Sequence, residues 1–262
     1  MKTNATVDFA GAGTATPRSA GKVQQVRSVF ENAPRYLNSR QVDMRVRSET
    51  VKTFAAGLNA RRVLDIGCGD GSISLPLLTS ASRLTLLDLS ASMAARAKAN
   101  VPEELAGNVE VRNEDFMAAS FEPRSFDLIV SVGVLAHVDS ADEFLRKIAN
   151  LLRPGGSLIV EFTDCRHFAG RLERFAGRLK EIIAPAKYST NRLSARPVFE
   201  LFGRHGMKPE AVFRYARIPI PGIEKVVTHN FSYKFVELIF GRCPNNKNAW
   251  LGNEYICLLT AN

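Results

Sequence analysis

Between residues 61 and 162, five short apolar runs, RRVLDIG, RLTLLDL, NVEVRNED, FDLIVSV and SLIVEF, alternate with stretches of helical period. Such alternation marks βαβ units and a parallel sheet. Runs that stay apolar instead of alternating belong to strands buried on both faces, so helices are expected on each side. The helix ahead of the fifth run is punctuated at both ends. Ser140 can cap its start, Glu143 completes a capping box, and Arg153-Pro154-Gly155-Gly156 stops it. Its apolar face, Phe144, Leu145, Ile148, Leu151 and Leu152, reads as core rather than chemistry.

Beyond Asp164 the pattern changes. In RHFAGRLERFAGRLKEIIAP, Phe168, Leu172, Phe175, Leu179 and Ile182 recur at helical spacing opposite Arg171, Arg174, Arg178 and Lys180, which predicts a basic amphipathic helix over the sheet edge. A further helix, RPVFELFGRHG, follows Ser194 and closes near Gly206. AVFRYARI and EYICLLTA read as two last strands, separated by a long insertion at 219–253 in which Val227, Phe231, Phe235 and Leu238 share a helical face. That stripe reads as core packing before it reads as a ligand wall. The chain thus divides into a flexible tail at 1–22, a helical cap at 23–58 and an α/β domain at 59–262. Substrate-covering segments are expected at 165–195 and 219–253.

Composition narrows the class. The 262 residues are 45% hydrophobic, with no apolar stretch approaching the roughly 20 residues of a membrane span, and the first residues lack the apolar block of a secretory signal. Cys68, Cys165, Cys243 and Cys257 are scattered without a Cys-x-x-Cys pair, so neither a zinc knuckle nor a disulfide framework is expected, and a cytoplasmic location fits. The net charge of +9 is segregated: residues 1–60 carry 9 basic and 4 acidic groups, 61–165 carry 10 and 15, and 166–262 carry 16 and 7. Basic flanks suit an anionic substrate, an acidic carrier or a lipid headgroup, or form a plain solvated surface.

The candidate chemistry lies in the acidic middle. Gly67, Gly69 and Gly71 sit at the turn from the first strand to the first helix, where a ligand can approach the backbone. Asp65 ends that strand, Cys68 and Asp70 lie inside the loop, and no Lys or Arg intervenes before Arg83. A pyrophosphate would meet uncompensated carboxylates there, whereas an ammonium would be welcomed, which argues against a nicotinamide cofactor. Asp88, ending the second strand, is placed to accept from both hydroxyls of a ribose. After the third strand come Glu114, Asp115 and Phe116, where a carboxylate and a backbone N–H could read an adenine edge.

These segments, VLDIGCGDGS, LLDLS with Met93 close behind, NEDF, FDLIVSVGVLAHV and LLRPGG, resemble in order and spacing the successive motifs of class I S-adenosylmethionine-dependent methyltransferases over about 100 residues. The resemblance implies a Rossmann-like, doubly wound, seven-stranded sheet whose last strand is antiparallel. It further implies that Asp65, Gly67 and Gly69 surround the methionine part, that Asp88 holds ribose, and that Leu89 and Met93 flank adenine. Asp115 and Phe116 would read the adenine edge, with Ser131 and Val132 on the sulfonium side.

No Asn-Pro-Pro-Tyr or Pro-Cys segment follows the fourth strand. SVGVLAHV is instead similar to small-molecule methyltransferases, with Ala136 where they often carry an acid, so no metal is expected. His137, on the side where the methyl group should emerge, is a candidate proton acceptor, or it orders the helix start near Ser140. Asp164, Arg166 and His167 after the fifth strand, and Tyr36 and Arg40 in the cap, are candidate substrate contacts. The expected activity is methyl transfer to an oxygen or nitrogen of a small, natural-product, quinone-like or lipid-like molecule, with S-adenosylhomocysteine as co-product. The acceptor would be anionic, hydrophobic or carrier-bound, and nucleic acid is not expected as a partner. Alternatives are an RNA or protein methyltransferase, favoured by the pI near 9.6, and a non-catalytic cofactor-binding regulatory protein.

Overall fold

In the structure, a computed structural model, residues 24, 25, 27, 28, 30, 31, 41–168, 191–216 and 229–262 are described. In chain order the elements are α1 (Gln41–Ala55), β1 (Arg62–Ile66), β2 (Arg83–Asp88), α2 (Ala91–Ala99), β3 (Val109–Asn113), β4 (Phe126–Ser131) and α3 (Ala141–Leu151). There follow β5 (Leu152–Thr163), α4 (Ala195–Arg204), β6 (Met207–Tyr215), α5 (His229–Phe240), the hairpin β7 (Gly241–Arg242) and β8 (Asn245–Asn246), and β9 (Glu254–Ala261). The apolar runs that read as doubly buried are so: from Val63, Leu64 and Ile66 of β1 to Leu158, Ile159 and Val160 of β5, the central side chains are sealed from solvent. β3, the most polar of the five, takes the sheet edge, half-exposed.

Seven strands form one sheet in the order β3-β2-β1-β4-β5-β9-β6, as the resemblance implied. β1 to β5 run parallel, and β9 is antiparallel to both its neighbours, pairing Val160 with Cys257 on one side and Val212 with Cys257 on the other. One face carries α3 and α4 on Ile129, Leu158 and Val160. The other carries α1 and α5, whose Val46, Val51, Phe54, Tyr233, Val236 and Phe240 cover Val63, Leu128, Val130 and Ile159. Among the described residues no helix is long and apolar enough to cross a membrane.

Four expectations change. The β1–β2 connection contains no α-helix, only a 3₁₀ turn at Leu75–Leu77. Pro76 lacks an amide hydrogen and its ring crowds the carbonyl four residues back, so a helix begun at the glycine loop cannot run through it. α1 packs on the sheet face that this connection leaves uncovered, so it is a core helix rather than part of a lid over the cofactor. Next, α3 stops at Leu151, just ahead of Arg153-Pro154-Gly155-Gly156 as expected, but Leu152 and that stop segment fall within β5 rather than on the helix and in a loop, and the pairing with β4 shifts register between Phe126 and Leu128. Finally, Phe231, Phe235 and Leu238 point to solvent (60%, 39% and 71% exposed), because α5 has two apolar faces and buries the one made by Tyr233, Val236 and Phe240. Val227, the tail at 1–22 and the basic helix beyond Phe168 lie outside the described residues.

Candidate active site

Parallel strands aim their carboxyl ends at one edge, and a crevice opens where the chain order reverses, here between β1 and β4. The crevice is a cleft of about 920 Å³, counting its open mouth, walled by the loops after β1, β2, β3 and β4. The glycine loop is tied to β2 through Gly67 N–H and Cys68 N–H, which both donate to the Leu87 carbonyl at 2.7 and 3.1 Å. Gly67 and Gly69 have φ of +72° and +57°, in the left-handed region that suits glycine, and a Cβ on Gly67 would strike Val134 across the cleft.

Asp88 is held on both oxygens. Gly69 N–H donates to Oδ2 and Ser90 N–H to Oδ1, each at 2.8 Å, which leaves lone pairs on both for a diol. Burial pushes its carboxyl above the ordinary range, against those two N–H groups, and Glu31 adds to the rise. Leu89 and Met93 line the wall beside it. After β3, Asp115 Oδ1 accepts from Met117 N–H at 2.9 Å, and Phe116 sets its ring edge-on to Phe144, 5.1 Å between centroids. Glu114 reaches the wall while gripped by Arg112. Val132, Gly133, Val134 and His137 form the opposite wall. Across the mouth, Ser90 and Ser92 hydroxyls donate to the Phe30 and Glu31 carbonyls at 3.3 and 3.0 Å, and the Phe30 ring stands edge-on to His137 at 5.5 Å.

Of the expected cofactor residues, the cleft gathers Gly67, Gly69, Asp88, Leu89, Met93, Glu114, Asp115, Phe116 and Val132, together with His137. Asp65, Cys68 and Ser131 are buried but are not on its wall. Asp65 turns inward to accept from the Ser74 hydroxyl. Desolvation, with help from Asp88 and against that hydrogen bond, pushes its carboxyl up to about 7. Asp164, Arg166 and His167 stand at the end of β5 outside the cleft wall. Asp164 Oδ1 accepts from Arg166 N–H at 2.9 Å, and His167 Nε2 meets the Trp250 carbonyl at 2.8 Å. Tyr36 and Arg40 lie outside the described residues.

Sequence reasoning missed Phe144, which is both core and cleft wall, and Arg27 and Phe30. It also missed a buried ion pair: Arg47 binds Glu161 through Nε at 2.9 Å and a terminal nitrogen at 2.7 Å, and Tyr215 donates to the same carboxylate at 3.1 Å. The one charge inside the apolar run SLIVEF was its signal.

The described wall carries four carboxylates, Asp88, Glu114, Asp115 and Asp139, against the Arg27 guanidinium, a balance that suits a cation. A diol cradle at Asp88, apolar Leu89, Met93 and Phe116 beside it, a glycine-lined end and a net-acidic wall together fit an adenosyl sulfonium amino acid.

Residues 64–160 match the family model described as "Methyltransferase domain". The chain is 29% identical over 173 residues to a phosphatidylethanolamine N-methyltransferase of Cereibacter sphaeroides, covering 62% of this chain and 83% of that protein. It is 31% identical over 120 residues to a ubiquinone biosynthesis O-methyltransferase of Coxiella burnetii, where it spans about half of the relative: 46% of this chain and 50% of the other. The fold resembles that of an S-adenosylmethionine-dependent methyltransferase of Thermotoga maritima (TM-score 0.63, 19% identity, 90% and 99% of the two chains). It also resembles magnesium protoporphyrin IX methyltransferase of Synechocystis with bound S-adenosylhomocysteine (TM-score 0.61, 17% identity, 92% and 100%). Residues 64–160 thus carry a methyltransferase domain, and family match, relatives and fold agree with the cleft in their likeness to class I S-adenosylmethionine-dependent methyltransferases.

Proposed function

We propose that this enzyme methylates an oxygen or nitrogen of a small molecule with a quinone-like or lipid-like body. The Asp88 cradle carries the cofactor half of this reading: a buried carboxylate fixed by two N–H groups, with lone pairs left at the cleft, is a diol receptor. The acceptor half is supported by relatives named for phosphatidylethanolamine and for ubiquinone biosynthesis. The segments 165–195 and 219–253 are proposed to wall the acceptor, since they leave the sheet after β5 and β6 at its carboxyl edge. Asp164, Arg166 and His167 would line that wall. Four free cysteines support a cytoplasmic setting.

When bound, S-adenosylmethionine supplies an electrophilic methyl group on a positively charged sulfur. Asp88 would hold the ribose, Asp115 and Phe116 the adenine edge, and the backbone of Gly67 and Gly69 the amino acid end. His137, on the wall formed after β4, would take the proton that the acceptor loses as its oxygen or nitrogen gains the methyl group. Phe30 against His137 would exclude water from that side.

The test is label transfer from methyl-labelled S-adenosylmethionine to a panel of catechols, hydroxyquinones and amine phospholipids in mixed micelles. Label is expected in one class, lost with Asp88→Ala through weakened cofactor binding by about 2 kcal/mol. His137→Ala is expected to keep S-adenosylhomocysteine affinity and lose about 10²-fold in turnover. Label entering RNA or protein instead would refute the small-molecule reading, and full turnover by a folded His137→Ala enzyme would refute the base.

A further inference from the structure

The loop that carries Asp115 and Phe116 into the cleft is too short to hold itself. Ala118 and Ala119 N–H groups bond back to the Asp115 carbonyl at 3.0 and 2.8 Å, a single turn, and one turn leaves the carbonyls at its far end without intrahelical partners. Lys147, reaching across from α3, meets them. Its Nζ lies 2.5 Å from the Phe116 carbonyl, 3.2 Å from that of Met117 and 2.6 Å from that of Ala119. An ammonium has three N–H donors, and here they face three acceptors, in charge-assisted bonds stronger than neutral ones. The same nitrogen stands over the Phe116 ring, 4.8 Å from its centroid, where the ring face attracts a cation.

The platform behind Lys147 is firm. Ser140 caps α3 by accepting from Glu143 N–H at 3.2 Å, and Phe144, Leu145, Ile148 and Leu151 anchor it in the core. Phe144 of the same helix meets Phe116 edge-on. One helix therefore holds the loop twice, through a ring contact inside the cleft and a polar clasp outside it.

We propose that Lys147 is a positioning residue for base recognition: by clasping the carbonyls of residues 116, 117 and 119, it fixes the Asp115 carboxylate and Phe116 N–H against the adenine edge. The proposal rests on the reading of Asp115 and Phe116 as the adenine-recognising pair. Lys147 does not line the cleft and touches no reacting atom. Its loss would leave the chemical step intact while blurring the base that the cleft selects.

S-Inosylhomocysteine tests this, because it differs from S-adenosylhomocysteine only at the base edge, with a carbonyl and a ring N–H in place of the amino group and ring nitrogen. In Lys147→Met the dissociation constant for S-adenosylhomocysteine is expected to rise about tenfold and that for the inosyl analogue less than about threefold, so the ratio between them collapses. KM for S-adenosylmethionine should rise with kcat nearly unchanged. Lys147→Gln keeps two N–H donors on a shorter, uncharged side chain. It should fall between parent and Met variant, and it serves as the readable variant if the Met variant does not fold. Asp115→Asn is measured in parallel. If Asp115→Asn keeps the parent ratio, the underlying adenine assignment fails. If it loses the ratio while folded Lys147 variants keep it, the role of Lys147 alone is overturned. Equal weakening of both ligands with a lowered Tm would also overturn it, since that is the behaviour of an ordinary stability residue.

Discussion

Asp65 shows how burial rather than position along the chain decides what a residue does. Desolvation raises its carboxyl to about 7, so the native state keeps a proton that the unfolded chain releases near the ordinary value of 3.8. Between those values the native state binds more protons, and the stability contributed by this group falls as pH rises through that window and levels off above about 7. Asp65→Asn, which retains an acceptor for Ser74, is expected to remove that slope from the Tm profile of the ligand-free enzyme. A variant whose profile parallels that of the parent would show that the proton resides elsewhere. A cationic ligand favours the ionised form, so calorimetry of S-adenosylmethionine binding near pH 7, in buffers of different ionisation heat, should register proton release that the Asn variant lacks. The strand end at Asp65 was legible in VLDIGCGDGS, but its orientation was not. Alternation along β1 sends Leu64 and Ile66 to one face, where Ile66 reaches the cleft, and Val63 and Asp65 to the other. The glycine backbone, not this carboxylate, meets the ligand space.

At the scale of elements, what the chain spells locally came through and what depends on partners did not. The capping residue Ser140 and the apolar face of α3 are written in consecutive residues, and the structure contains both. The absence of an α-helix after β1 is also written locally, in Pro76, which breaks the helix that a strand and glycine turn would otherwise lead into. The exposed stripe on α5 could not be foreseen, because a helix with two apolar faces buries whichever one α1 meets. The N-terminal segment is the element with most to test. Phe30 sits half-buried against His137, and the carbonyls of Phe30 and Glu31 are held by Ser90 and Ser92 at the start of α2, so Arg27 and Phe30 line the cleft without joining the core. Phe30→Ala is expected to weaken S-adenosylhomocysteine about tenfold, chiefly through faster release, with little change in the Tm of the free enzyme. Unchanged release in stopped-flow displacement would mean that this segment does not retain the ligand.

For the whole molecule, the cleft sits at the seam of the sheet, where loops after β1, β2 and β3 face the loop after β4. A ligand that binds there contacts both halves of the fold and only in the native state, so it should raise the stability of the entire cooperative unit. At a hundred times its dissociation constant the gain is about 2.7 kcal/mol, which for a domain of this size corresponds to roughly 5 to 10 °C in Tm. S-Adenosylmethionine and S-adenosylhomocysteine should both produce it, because the product shares every contact except that of the methylated sulfonium. NAD should not, although its adenosine half would suit Asp88 and Asp115. Its pyrophosphate would enter between the glycine loop and Asp88, where the segment from Asp65 to Ser82 contains no lysine or arginine to receive it. Arg27 is the one Lys or Arg among the described cleft-lining residues, and it faces four carboxylates, so the charge balance there still opposes a pyrophosphate. A thermal scan with the three ligands decides among the alternatives. A shift with both S-adenosyl compounds and none with NAD fits the acidic cleft, equal shifts with all three would mean that the loop charge does not select, and no shift with any would mean that the cleft is not the cofactor site.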